Sequence, residues 1–289
     1  MKPFKRTYIE ITNACNLLCE FCPGSFRKTQ FMEPKAFDAI LSKLNTCSTH
    51  LYFHVLGEPL LHPRLPLFLD IAHHHKKMVN LVTNGTLIAE KGPLIIEKPA
   101  LRQVTFSLHS FVPGKQVPST EKYLGPIIDF SRKAADHHLI CLRLWDSGAQ
   151  TDSARGAAII RFIEKEFRVP FCLEEKFRVS SGISIDKNMF LNKTQRFAWP
   201  DMLGPDCGES GFCLGLREQI AILVDGTVVP CCLDRNGDMA LGNILSQPME
   251  QILESKRARE IYSGFSRHKV TEPLCRHCSY RMRFSSSEV

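Results

Sequence analysis

The residues in this chain best equipped for chemistry are its thiols. Cys15, Cys19 and Cys22 stand within eight residues, in a C-x3-C-x2-C spacing. Three thiols so close can converge on one metal centre. A structural zinc site wants four protein ligands, and no fourth Cys or His lies nearby in sequence. Iron–sulfur clusters are normally held by four thiolates, so three on a four-iron cluster would leave one iron open to chemistry. A zinc site completed by a distant residue such as His54, or plain buried thiols, are the alternatives. A second set follows near the other end: Cys213, twelve residues, Gly226, four residues, Cys231, and later Cys275-Arg-His-Cys278. Asp225-Gly226 can turn a hairpin that brings Cys213 and Cys231 together. Four thiolates suit either zinc or a four-iron cluster. Cys207 and Cys232 stand close enough in sequence to replace a member of that set, and Cys47, Cys141 and Cys172 read as ordinary buried thiols.

Positioning these groups requires a scaffold, and the first ~180 residues alternate strand-like and helix-like segments. Strands are predicted at Thr7–Thr12, His50–Val55, Val79–Thr83, Arg102–Leu108 and Leu139–Trp145, with a sixth near Phe171–Val179. Between them, Pro34 can open a helix whose Phe37, Ile40, Leu41 and Leu44 share one face. Further helices are predicted near Pro63–His75, over Glu121–His138 and over Ala154–Phe167. Such βαβ units with right-handed crossovers build an open or partial barrel, with sites at the carboxyl ends of its strands. The three-cysteine loop follows the first strand directly. Residues 181–210, rich in Gly, Pro, Ser and Asn, read as a linker. Residues 211–289 read as a small α+β domain with a hairpin over Ile220–Val229 and a helix near Pro248–Tyr262.

The composition bounds the rest. With 289 residues, 44% hydrophobic and 23% charged, the chain is neither fibrous nor disordered, and holds one or two domains. Twelve cysteines are too few for a disulfide scaffold. The N-terminus lacks the apolar core of a signal peptide, and no stretch approaches a membrane span. We therefore expect a cytoplasmic protein with no membrane partner, in which clustered thiols serve metal or catalysis. The net charge is +7. The C-terminal cations alternate with apolar residues and form no continuous run, which argues for a solvated basic face over a nucleic-acid stripe. His73-His74-His75 cannot share one site, because consecutive helical residues point about 100° apart. Phe26-Arg27-Lys28 suits solvent or an anionic partner equally, and Phe197-Ala198-Trp199-Pro200 either covers a pocket mouth or packs between domains.

The C-x3-C-x2-C loop after a first strand resembles the signature of the radical SAM superfamily, whose fold is a partial (β/α)6 barrel. Three further segments resemble it in order. Leu56-Gly57-Glu58-Pro59 after the second strand looks like the Gly-Gly-Glu-Pro segment that contacts the amino group of S-adenosylmethionine (SAM), with Leu56 in place of the first glycine. Thr83-Asn84-Gly85 ends the third strand, and Ser107-Leu108-His109 the fourth, where a polar residue often lies near the SAM ribose or carboxylate. Arg143 and Trp145 end the fifth, at the level where relatives contact SAM or substrate. The second constellation resembles the auxiliary-cluster domains called SPASM in long form and twitch in short form. The long form carries seven cysteines and two clusters, and the later ones have no counterpart after Cys278 here, so one auxiliary cluster is implied.

The resemblance implies a first [4Fe-4S] cluster with an open iron on Cys15, Cys19 and Cys22. It implies SAM bound with help from Gly57, Glu58, Pro59, Asn84, Ser107, His109 and Arg143, and an auxiliary [4Fe-4S] cluster on Cys213, Cys231, Cys275 and Cys278. Reduction by a flavodoxin or ferredoxin would then cleave SAM to a 5′-deoxyadenosyl radical that abstracts hydrogen. A small-molecule substrate is expected, carbohydrate- or nucleobase-like, undergoing oxidation, rearrangement or carbon–heteroatom cleavage. Modification of a peptide or protein is the alternative, and a non-catalytic iron–sulfur or zinc protein a third.

Overall fold

The structure, a computed structural model, describes residues 4–44, 49–110, 119–146 and 150–284. Cys47 lies outside them. The strands are β1 (Arg6–Ile9), β2 (His50–Phe53), β3 (Met78–Thr83), β4 (Leu101–Ser107), β5 (Leu139–Asp146), β6 (Gly182–Asp186), β7 (Met189–Gln195), β8 (Gln219–Ile222), β9 (Thr227–Val229) and β10 (Gly242–Asn243). The helices are α1 (Pro34–Lys43), α2 (Leu65–His74), α3 (Ile88–Lys91), α4 (Thr120–Ala134), α5 (Gln150–Phe167), α6 (Leu173–Lys176), α7 (Met249–Leu253), α8 (Lys256–Ser266) and α9 (Pro273–Arg276). The chain is a mixed α/β protein in which parallel strands dominate. It divides into two compact units, residues 1–79 with 197–289, and residues 80–196.

In the first unit the strand order is β10-β9-β8-β1-β2. β1 runs parallel to both β2 and β8, and the pairs β8–β9 and β9–β10 are antiparallel. The two faces differ, as the period of two demands. One row, Tyr52-Tyr8-Ala221-Val229, is set by register; Tyr8, Ala221 and Val229 form a buried cluster with Val55 and Leu223. On the other face Phe53 meets Phe37 of α1 with ring centroids 5.5 Å apart, and Phe37 meets Phe68 of α2 at 4.7 Å. The α1 face predicted from Phe37, Ile40, Leu41 and Leu44 is wholly buried. The Asp225-Gly226 turn forms as expected: Gly226 takes φ +85°, and an added Cβ there would stand 2.7 Å from Leu245. The helix expected over Pro248–Tyr262 is two helices. Ser255 accepts from the Ala258 N–H and caps α8, which breaks the run.

In the second unit the order is β3-β4-β5-β7-β6, with β4, β5 and β7 parallel and β6 antiparallel to β7. This corrects one expectation. Phe171–Val179 is not a strand; it holds the four-residue α6. The strand beside β5 is β7, reached through a hairpin whose turn residue Asn188 takes φ +56°, in a stretch read from its Gly, Ser and Asn content as a linker. Polar residues there serve the turn and the half-exposed faces of β6 and β7 rather than a loose connection. Cys172, expected to be buried, is exposed at the start of α6, whereas Cys141 on β5 is buried as expected. α4 ends at Ala134, short of the predicted His138, whose Nε2 lies 2.6 Å from the Ile96 carbonyl oxygen. Among the described residues no helix is long and apolar enough to cross a membrane.

Candidate functional site

The three-cysteine loop leaves the carboxyl end of β1 and is closed at its base. The Thr12 hydroxyl donates to the Gln30 carbonyl at 2.7 Å, Asn13 Nδ2 donates to the Lys28 carbonyl at 3.0 Å, and the Met32 N–H donates to the Ile11 carbonyl at 2.8 Å. Within it a tight turn carries the Cys22 N–H to the Cys19 carbonyl at 2.9 Å. Cys15 and Cys22 are exposed and Cys19 half-exposed, which suits thiols that present themselves to a cofactor. Partial burial, with the nearby charges of Glu58 and Cys22 adding, pushes the Cys15 thiol above its usual value.

Gly57 packs directly on this loop. Its φ is +80°, and a Cβ would stand 2.4 Å from the Thr12 carbonyl oxygen and 2.9 Å from that of Ala14. The Glu58 N–H donates to the Ala14 carbonyl at 2.7 Å, and the buried Glu58 carboxylate accepts from the Leu60 N–H at 2.9 Å. Leu56 takes an ordinary negative φ, so the backbone does not need the glycine that relatives carry there. Its N–H donates to Glu10 Oε1 at 3.3 Å.

The second constellation converges within the same unit. Cys213, Cys231, Cys275 and Cys278 line one cavity with Pro200, Asp234, Met239 and Arg281. Burial, with neighbouring thiols including Cys213 adding, pushes Cys231 and Cys275 well up, and Cys278 up as well. Cys232 turns away to join the Tyr8 and Tyr52 side of the sheet, where burial pushes it up to about 12. Cys207 does not line the cavity; its carbonyl accepts from Arg281.

Does this cavity fit a cluster? Among the described residues no three His, Cys, Asp or Glu side chains close on a single-ion site. Four thiols around a cavity match the cage of a four-iron cluster, whose ligands surround it rather than meet at a point. Arg281 supplies a second sign. It is 1% exposed, and its guanidinium donates to the carbonyls of Cys275 (2.9 Å), Ser210 (2.6 Å), Cys207 (2.6 Å) and Gly208 (2.5 Å). A buried cation costs several kcal/mol unless compensated, and a thiolate-bound cluster carries the negative charge to do so.

In the second unit the strand ends present another polar set. Tyr123 Oη donates to the Asn84 carbonyl at 2.6 Å, and Asn84 Oδ1 accepts from the Thr86 N–H at 2.9 Å. Gly85 takes φ +78°, with a would-be Cβ 2.6 Å from Ile127. Ser107 lies in register with Arg143. His109 stacks on Trp145 at 4.1 Å with rings 8° apart, and its Nδ1 lies 3.3 Å from the Arg143 carbonyl oxygen. Burial drops the His109 pKa to about 3, so the ring stays neutral.

Other candidates resolve as structure. His75 Nε2 pairs with Asp38 at 2.7 Å. Phe197 packs on Tyr280 at 5.2 Å, under Arg283. Arg27, left open between solvent and a partner, instead forms an ion pair of 2.7 Å with fully buried Glu10. Sequence reading missed Glu10 and Arg281: a lone charged residue carries no spacing signal, and its burial is visible only in three dimensions.

The radical SAM superfamily model matches residues 9–141 and an iron–sulfur cluster-binding domain model (SPASM) matches residues 213–279. The chain is 30% identical over 288 residues, 96% of its length and 94% of the relative, to an S-adenosyl-L-methionine-dependent 2-deoxy-scyllo-inosamine dehydrogenase from Niallia circulans. Its fold is similar to that of BtrN in complex with AdoMet and 2-DOIA, at 18% identity and TM-score 0.60 over 96% of this chain and 94% of that one. It is also similar to anSMEcpe with bound AdoMet and a peptide, at 17% identity and TM-score 0.61 over 99% and 92%. The fold and the thiol-bearing loops are thus those of an iron–sulfur enzyme. The chain belongs to the radical SAM superfamily and carries a C-terminal SPASM-type domain. Its cofactors are a [4Fe-4S] cluster with an open iron site, SAM, and an auxiliary cluster.

Proposed function

We propose that this enzyme dehydrogenates a small hydroxylated ring compound, taking hydrogen from a carbon that bears a hydroxyl. The full-length match to a dehydrogenase acting on 2-deoxy-scyllo-inosamine carries this reading. When bound, SAM and the first cluster supply a hydrogen-abstracting radical, and the auxiliary cluster an electron relay. The chain's own residues do the rest. Cys15, Cys19 and Cys22 hold the first cluster and leave one iron open. Gly57, Glu58 and Pro59 set the backbone that meets the SAM amino group, and Asn84, Ser107, His109 and Arg143 add polar contacts to SAM or substrate. Neutral His109 serves as a hydrogen-bonding group, not as a proton donor near neutral pH. Cys213, Cys231, Cys275 and Cys278 hold the auxiliary cluster. Residues 1–180, with β6 and β7 after them, supply most of the SAM-binding part, 197–210 connect, and 211–289 form the auxiliary part. A flavodoxin or ferredoxin donates the electron, and the cytoplasm is the compartment that keeps these thiols reduced.

The test is anaerobic turnover with reconstituted enzyme and a panel of aminocyclitols and sugars. We expect 5′-deoxyadenosine to form together with a ketone. Replacement of Cys15, Cys19 and Cys22 by Ala should abolish both products. Peptide modification is the second reading, supported by the fold likeness to a peptide-bound enzyme. Turnover of Ser- or Cys-containing peptides with no response to any cyclitol or sugar would favour it.

A further inference from the structure

Glu10, directly after β1, is fully buried, and three segments converge on its carboxylate. Oε1 accepts from Arg27 Nη2 at 2.7 Å and from the Leu56 N–H at 3.3 Å; Oε2 accepts from the Val224 N–H at 3.1 Å, at the β8–β9 turn. Arg27 lies five residues beyond Cys22, in the loop that carries the first thiol set. Its Nε donates to the Arg235 carbonyl at 2.8 Å, and Arg235 follows Cys231 by four residues. Arg235 is itself fixed, donating to the Pro200 carbonyl at 2.8 Å and pairing with Asp201 at 3.3 Å. Beside it Asp234 accepts from the N–H groups of Gly237, Asp238 and Met239 at 3.0, 2.9 and 2.8 Å. Met239 Sδ in turn lies 3.5 Å from Cys275 Sγ. One guanidinium therefore joins the loop of the first thiol set to the segment that follows the second.

We infer that Arg27 is a positioning residue that latches the SAM-cluster loop through Glu10 and transmits to it the state of the auxiliary site through the Arg235 carbonyl. The loop has little apolar packing to hold it, since Leu18 is 102% and Phe26 92% exposed. A buried charge pair with three further hydrogen bonds is strong enough to fix such a segment. Filling the cavity of Cys213, Cys231, Cys275 and Cys278 restrains residues 231–239, and the Arg235 carbonyl then offers Arg27 a fixed seat. The inference rests on the thiol assignment proposed above.

Hydrogen exchange of the full-length protein, loaded and cluster-free, tests it together with iron content and SAM affinity. In Arg27→Met, amides of residues 14–28 should exchange about tenfold faster or more, and SAM should bind about tenfold more weakly, while auxiliary iron is retained. Should that variant fail to fold, Glu10→Gln/Arg27→Met, which leaves no uncompensated buried charge, provides the same comparison. Arg27→Lys can keep the pair with Glu10 but cannot also reach the Arg235 carbonyl from a planar fork. It should recover most of the loop protection. The decisive comparison adds Cys275→Ala/Cys278→Ala. In the native background this change should loosen residues 14–28; in the Arg27→Lys background it should leave them as they were. Equal loosening in both, or native exchange in folded Arg27→Met, overturns the latch. Retained auxiliary iron in Cys275→Ala/Cys278→Ala overturns the thiol assignment instead, and leaves the Arg27→Met comparison to decide the Glu10 contact.

Discussion

At Gly57 the backbone runs at φ +80°, and the nearest atoms to an added Cβ are carbonyl oxygens of the thiol loop rather than flexible side chains. Neither can yield without moving the loop. Gly57→Ala should cost about 1–3 kcal/mol of strain, seen as a lower melting temperature, and should slow SAM cleavage at least tenfold. His109 makes a different prediction. Burial holds its pKa near 3 against 6.5 in an unfolded chain, so the unfolded state takes up a proton that the native state refuses. Stability from the neutral ring is complete above about pH 6.5 and drains away as pH falls toward 3, by up to ~1.4 kcal/mol per pH unit. Urea melts at about pH 7 and pH 5.5 should therefore show a smaller acid loss in His109→Gln than in the native chain. Equal losses would mean that the ring is already hydrated or charged in the fold.

Among the elements, the β8–β9 hairpin does two jobs. β8 extends the sheet beside β1 in parallel, Arg6 to Ile9 facing Gln219 to Ile222, and the hairpin sets Cys231 on the auxiliary cavity. The C-terminal turn that follows α9 carries Cys278 and Arg281 to the same cavity. Reconstituted protein should hold about eight irons per chain, as two four-iron clusters. Cys275→Ala/Cys278→Ala should halve that number; unchanged iron with lost zinc would identify the cavity as a zinc site. Arg281 places a buried positive charge beside the thiols, which favours the reduced, more negative cluster. In Arg281→Met the auxiliary midpoint potential should fall, whereas Arg281→Lys should keep it near the native value. A potential unmoved by Arg281→Met, measured by redox titration with spectroscopic readout, would show that the charge is balanced elsewhere.

At the scale of the whole molecule, the chain aligns with 94% of the length of a cyclitol-type dehydrogenase, the match on which the proposed substrate class rests. Variants at Arg143 should change the cyclitol or sugar preference, or KM, more than they change cleavage of SAM alone, as steady-state comparison of the two would report. An equal fall in both would place Arg143 on SAM. Of the C-terminal cations expected to form a solvated face, Arg281 is buried, and Arg257, Arg276 and Arg283 are engaged with Glu272, Asp206 and Tyr280.

The sequence by itself determined the family, both thiol constellations, the α1 core face and the Asp225-Gly226 turn. Apart from the meeting of Cys213 and Cys231 with the distant Cys275-Arg-His-Cys278 pair, each rests on short-range spacing, which a chain displays directly. It misplaced the sixth parallel strand, because β6 and β7 are only half buried and their polar residues look like a loop. Tertiary structure alone decided that β8 joins the sheet at β1, that Cys232 turns from the cavity its neighbour lines, and that Cys172 lies exposed. It alone revealed the contacts among Glu10, Arg27 and Arg235, which lie up to 225 residues apart (Arg235 minus Glu10). The worth of those charges depends on burial and on partners brought together by folding, and neither is written in local order.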